Sequence, residues 1–159
     1  MNSSDGSEAM QPAAVKVVLC AVDFSNATRT TVARAIDLAR RHGLEQVHLV
    51  HVAEIVRRDQ DDEEDRSLAD WIAHEETAAA QIRHAAETFA REGAFGVVPV
   101  FRTGIAWREI VECARTLGAG LLVVGARGPE SASAPGASIV EQLVREAPCT
   151  VVAVRDGVP

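Results

Sequence analysis

The chain has 159 residues, of which 47% are hydrophobic, 25% charged and only 4% aromatic. One aliphatic core of Val, Ala, Leu and Ile suits that length and composition, which excludes a wholly disordered chain. The formal net charge of -7 argues against a nucleic-acid surface, since phosphate backbones are held by clustered Lys and Arg, and no apolar run reaches the roughly 18 residues that a membrane span requires.

Residues 1–14, "MNSSDGSEAMQPAA", are polar and lack a hydrophobic signal region, so they read as a flexible tail of a cytoplasmic protein, with Met10 an alternative start. A domain is expected over 15–155. It opens with "VKVVLCAV", Val15 to Val22, a β-branched apolar run suited to a strand covered on both faces of a parallel sheet. Ser25 reads as the cap of a first helix in which Val32, Ala35, Ile36 and Ala39 recur at helical spacing, and Gly43 stands where that helix should stop.

"QVHLVHV" reads as the second strand, with His48 and His51 pointing to opposite faces and therefore not converging as metal ligands. An acidic linker follows at 54–67, where Asp59, Asp61, Asp62, Glu63, Glu64 and Asp65 supply six of the 23 carboxylates. Its plain reading is solvated chain, and the alternative is a cation or partner site. A long amphipathic helix then carries Leu68, Ile72, Ala79, Ile82, Ala86 and Phe89 on one face and ends at Gly93.

The third strand is "GVVPVF". Pro99 has no ladder donor, which predicts a strand at or near a sheet edge. Trp107, Ile110, Val111, Ala114 and Leu117 mark a third helix, "GLLVVG" a fourth strand, Ile139, Leu143, Val144 and Ala147 a fourth helix, and "CTVVAV" a fifth strand. Cys20, Cys113 and Cys149 are odd in number and lie in apolar segments, as core residues of a reducing compartment would. Five strands alternating with four helices predict a doubly wound parallel sheet, an α/β fold that binds ligands beyond the carboxyl ends of its strands, where the winding reverses. The candidate loops are Asp23 to Ser25, Val52 to Glu54, and the stretch that starts at Gly125.

In that last stretch Gly125 and Gly128 allow successive N–H groups to turn inward, and Ser138 opens "SIVE", a capping box with Glu141. A helix N-terminus there suits an anion, although many loops of this form bind nothing. A Walker-type loop, a G-x-G-x-x-G after the first strand and a G-x-S-x-G nucleophile turn are all missing, so the sequence supports no catalytic machinery.

"AVDFS", "LVHV", "TGIAWREIVECARTLGAGLLVVGARG" and "ASIVEQLVREAPCTVVAVR", in this order, resemble the universal stress protein family over Val15 to Arg155. The resemblance implies a Rossmann-like, doubly wound sheet of five parallel strands with four helices. It implies an adenine-nucleotide site for ATP, with Mg2+ where needed, in a dimeric stress-response regulator or sensor with at most slow hydrolysis. Asp23 would then lie near ribose and base with the backbone of Ala21 and Val22, and Val52 and Val124 would face adenine. Gly125, Arg127, Gly128, Gly136, Ala137, Ser138 and Ile139 would form the phosphate loop. Asp23 also suits a plain turn, and the two valines an ordinary core.

This sequence departs from the pattern of the family's ATP-binding members. The spacer Pro129 to Gly136 is one residue shorter, and Ala137 stands where the last glycine should be. Pro129 and Pro135 lack N–H groups and Glu130 adds negative charge, which Arg127 partly offsets. The second reading is therefore a nucleotide-free dimeric scaffold of the same family. For either, the last strand, followed only by "RDGVP", has an edge that no later helix covers, and the expected outcome is a homodimer through that strand.

Overall fold

A computed structural model describes residues 14–54, 68–126 and 138–155. Its elements alternate as expected: β1 (Val18–Ala21), α1 (Thr28–Arg41), β2 (Gln46–Glu54), α2 (Leu68–Gly93), β3 (Gly96–Gly104), α3 (Ala106–Leu117), β4 (Leu121–Ala126), α4 (Ile139–Glu146) and β5 (Thr150–Arg155). The tail expected at 1–14 lies outside the described residues except for Ala14. So does the linker expected at 54–67 except for Glu54, which closes β2.

The strands form one sheet in the order β3-β2-β1-β4-β5, with every neighbouring pair parallel. The winding reverses at β1, which sits between β2 and β4. Pro99 lies on β3, an edge strand bonded only to β2, so its missing donor interrupts no second ladder. β5 forms the other edge.

Alternation along β1 divides the core in two. Val18, Cys20 and Val22 face α1 and α2, packing against Val32, Ala35, Ile36, Ala39, Ile82 and Ala86. Leu19 and Ala21 face α3 and α4, packing against Ile110, Val111, Cys113, Ala114 and Leu143. All three cysteines are free, and full burial pushes the Cys20 thiol up to about 12, as expected of a small core residue.

Three details depart from the sequence reading. Ser25 does not cap α1: the helix starts at Thr28, its N-cap is Ala27, and no side chain bonds that cap. On α2, Ile72 is exposed and Ala78 is buried. A helix of 26 residues is about 39 Å long at 1.5 Å per residue, whereas nine-residue β3 spans about 30 Å, so the first turns of α2 overhang the sheet. On α4 the inward stripe is Val140, Leu143 and Ala147, which leaves Ile139 on one flank and Val144 on the other, both exposed.

Candidate functional site

The carboxyl ends of β2, β1 and β4 lie side by side where the winding reverses. Ala21 pairs in register with Val50 on one side and Val124 on the other, and Val52 lies two residues beyond Val50. Ala21, Val52 and Val124 are all buried and belong to the cluster on the α3/α4 face. The structure thus brings these three predicted residues together as one apolar surface.

Val22 belongs to the opposite face, and its amide donates to the Val50 carbonyl at 3.0 Å. The chain then turns sharply. Asp23 is exposed, and its Oδ1 accepts from the Ser25 amide at 2.9 Å, a short polar turn that its side chain stabilises. The Thr28 amide in turn donates to the Ser25 carbonyl at 3.0 Å. Ser25 therefore links turn and helix through its backbone.

Gly125 has a packing reason of its own. A Cβ there would lie 3.1 Å from Thr31 Oγ1 and 3.6 Å from the Ala27 Cβ, because β4 passes close beneath the first turn of α1. The Thr31 hydroxyl is committed as well, donating to the Ala27 carbonyl at 2.7 Å. Ser138 caps α4 as its sequence context predicts, its Oγ accepting from the Glu141 amide at 3.2 Å. Ile139 follows as the first helical residue and is exposed. Through Leu143, α4 packs on the same face as Ala21, Val52 and Val124. Arg127, Gly128, Gly136 and Ala137 lie outside the described residues.

Three further residues belong to this end of the sheet and were not singled out for it from sequence. Arg102 is half-buried and pairs in register with Val52; it lies beside the Cys113 thiol, whose pKa burial raises and Arg102 partly lowers. Phe24 and His51 pack ring against ring with centroids 4.6 Å apart. No local pattern could have revealed these pairings, since each joins residues remote in sequence.

Among the described residues no three His, Cys, Asp or Glu side chains gather as a metal site. His48 and His51 diverge as expected, and burial holds the His48 imidazole below its ordinary pKa. An open groove of about 430 Å³, lined by Phe24, Asn26, Thr28, Arg29, His84 and Thr88 among others, lies between α1 and α2, on the other side of the sheet from Val52 and Val124. No described helix is long and apolar enough to cross a membrane.

Solved structures share this architecture. UspA from Lactobacillus plantarum is 22% identical, covers 91% of this chain and 100% of its own, and superposes with a TM-score of 0.65. A universal stress protein in complex with cAMP is 23% identical over 89% of this chain and 98% of its own, with a TM-score of 0.68. The universal stress protein from Archaeoglobus fulgidus in complex with dAMP is 20% identical over 88% and 98%, with a TM-score of 0.61. No curated protein sequence matches. The family model described as "Universal stress protein family" matches residues 14–155. With a five-stranded parallel sheet of the same shape and a match over nearly its full length, this chain belongs to the universal stress protein family.

Proposed function

We propose that this chain binds an adenine nucleotide, ATP by preference, beyond the carboxyl ends of β2, β1 and β4, and serves as a cytoplasmic, dimeric regulator or sensor in a stress response. The observation that carries this reading is the apolar surface of Ala21, Val52 and Val124 at the reversal of winding, with the Asp23 turn beside it. A planar base suits an apolar wall flanked by a few polar groups. In this reading Val52 and Val124 face adenine, and Asp23 with the backbone of Ala21 and Val22 orients the ribose. Gly125, Arg127, Gly128, Gly136, Ala137, Ser138 and Ile139 serve the phosphates. Mg2+ would be held chiefly by phosphate oxygens and water, as is usual for that ion. Two solved relatives in complex with cAMP and dAMP support the choice of an adenine nucleotide.

Calorimetric titration with ATP, AMP and GTP, with and without magnesium, tests the reading. Saturable binding of the adenine nucleotides but not of GTP is the expected result, and no heat with any of them would overturn it. The scaffold reading then takes its place. One observation favours that alternative: the contact of Gly125 with Thr31 accounts for the first glycine without any phosphate.

For the dimer, the supporting features are the β5 edge, with Val151 and Val152 half-buried and Ala153 exposed, and the exposed Val144 on neighbouring α4. An unpaired apolar edge favours strand pairing. Sedimentation velocity at micromolar concentration should give a dimer, and a monomer there would refute this part.

A further inference from the structure

We propose that His51 is a positioning residue for the nucleotide site, holding the turn between β1 and α1 in the shape that presents Asp23; this rests on the adenine-nucleotide reading above. The argument begins with the two residues that flank Asp23. The Val22 amide ends the ladder on Val50, and the Val22 carbonyl takes a side-chain partner, His51 Nδ1 at 3.0 Å. A carbonyl oxygen can only accept, so Nδ1 carries the proton and donates. Phe24, on the other side of Asp23, has a φ of 58°, in the left-handed region that residues with a Cβ rarely adopt. Its ring lies against the His51 ring at 4.6 Å and a tilt of 54°, a favourable arrangement for two aromatic groups.

One imidazole therefore holds both neighbours of Asp23, by a hydrogen bond on one side and by ring packing on the other. The helix that follows adds a backbone bond, Thr28 to the Ser25 carbonyl, but no side-chain cap. The Asp23 turn bond to Ser25 spans two residues, and His51 adds a tie from this turn to β2, the strand that also supplies Val52. Through His51 the strand carrying one wall of the site sets the position of the carboxylate on the next.

Two variants separate the parts of this hold: His51→Phe keeps a ring against Phe24 without a donor, and His51→Asn keeps a short N–H donor without the ring. In the parent protein without nucleotide, nitrogen NMR of His51 should find the proton on Nδ1; a proton on Nε2 alone would overturn the proposal. In the same state, exchange of the Ser25 amide should accelerate about tenfold in His51→Phe and less in His51→Asn, the size expected when one hydrogen bond that orders a turn is lost. Equal exchange in the parent and both variants would overturn it. For ATP, affinity should fall about tenfold in His51→Phe and recover in large part in His51→Asn. Affinity kept in His51→Phe but lost in His51→Asn, with circular dichroism showing both folded, would reduce His51 to packing and refute positioning. If the parent binds no adenine nucleotide, the proposed function fails by itself, while the proton location and the exchange rates still decide whether His51 holds the turn.

Discussion

Two strand-to-helix passages flank the reversal of winding, and they are secured in different ways. The passage from β4 to α4 ends in a local device: the Ser138 hydroxyl takes the Glu141 amide three residues on, within one helical turn. The passage from β1 to α1 has no such cap; beside its local turn bonds at Asp23 and Ser25 it receives contacts from a neighbouring strand, since His51 bonds the Val22 carbonyl and packs on Phe24. The difference teaches that equivalent positions in a doubly wound fold can be held by local or by tertiary bonds, and that the tertiary ones leave no mark in a short stretch of sequence.

The strongest way to break this comparison is at Gly125, where the two passages touch. Gly125→Val would force branched methyl groups against Thr31 and Ala27, already 3.1 and 3.6 Å from an added Cβ. Overpacking of this kind costs about 3 kcal/mol, and urea denaturation should show the loss. A variant as stable as the parent would mean that β4 and α1 are not tightly joined there.

Next in size is Asp23→Ala. It removes the acceptor for Ser25 and, on the proposed reading, the polar anchor of the ribose. ATP affinity should weaken by on the order of 2 kcal/mol in a chain that still folds, and unchanged affinity would place base and sugar elsewhere.

A matched pair sharpens the contrast of the two caps. Ser138→Ala should lower stability by about 1 kcal/mol through loss of the α4 cap, whereas Ser25→Ala should change it by less than about 0.5 kcal/mol, because Ser25 acts through its backbone carbonyl. Thermal denaturation of the two variants side by side checks this, and equal losses would contradict the contrast.

A last effect, on binding, concerns the loop before Ser138. Ala137→Gly with Glu130→Ser restores the family's glycine and removes a carboxylate. It should tighten ATP binding by up to about 1 kcal/mol, the conformational penalty for alanine where glycine is preferred, and leave the oligomeric state unchanged. Equal titration curves for variant and parent would mean that the loop is already competent or that it never approaches phosphate, and a nucleotide-bound structure would tell those two apart.

The sequence by itself determined much of this protein. Apolar β-branched runs set five strands, helical spacing set four helices, Pro99 marked an edge strand, and Ser138 marked the start of α4; all appear in the structure. Such features depend on backbone propensity and on contacts within a few residues, which a short window of sequence contains. The apolar residues of the candidate site, Ala21, Val52 and Val124, came from the resemblance to the family and not from any local pattern; the structure gathers them in one cluster near the carboxyl ends of β1, β2 and β4. Only the tertiary structure decided that α1 starts at Thr28 instead of after Ser25, that Ile72 overhangs the sheet, that Val140 and not Val144 faces the core, that Gly125 passes close beneath Thr31, and that His51 reaches Val22 and Phe24. Each of these depends on where a second element passes, and the relative placement of elements comes from the packing of the whole core, which no local pattern encodes.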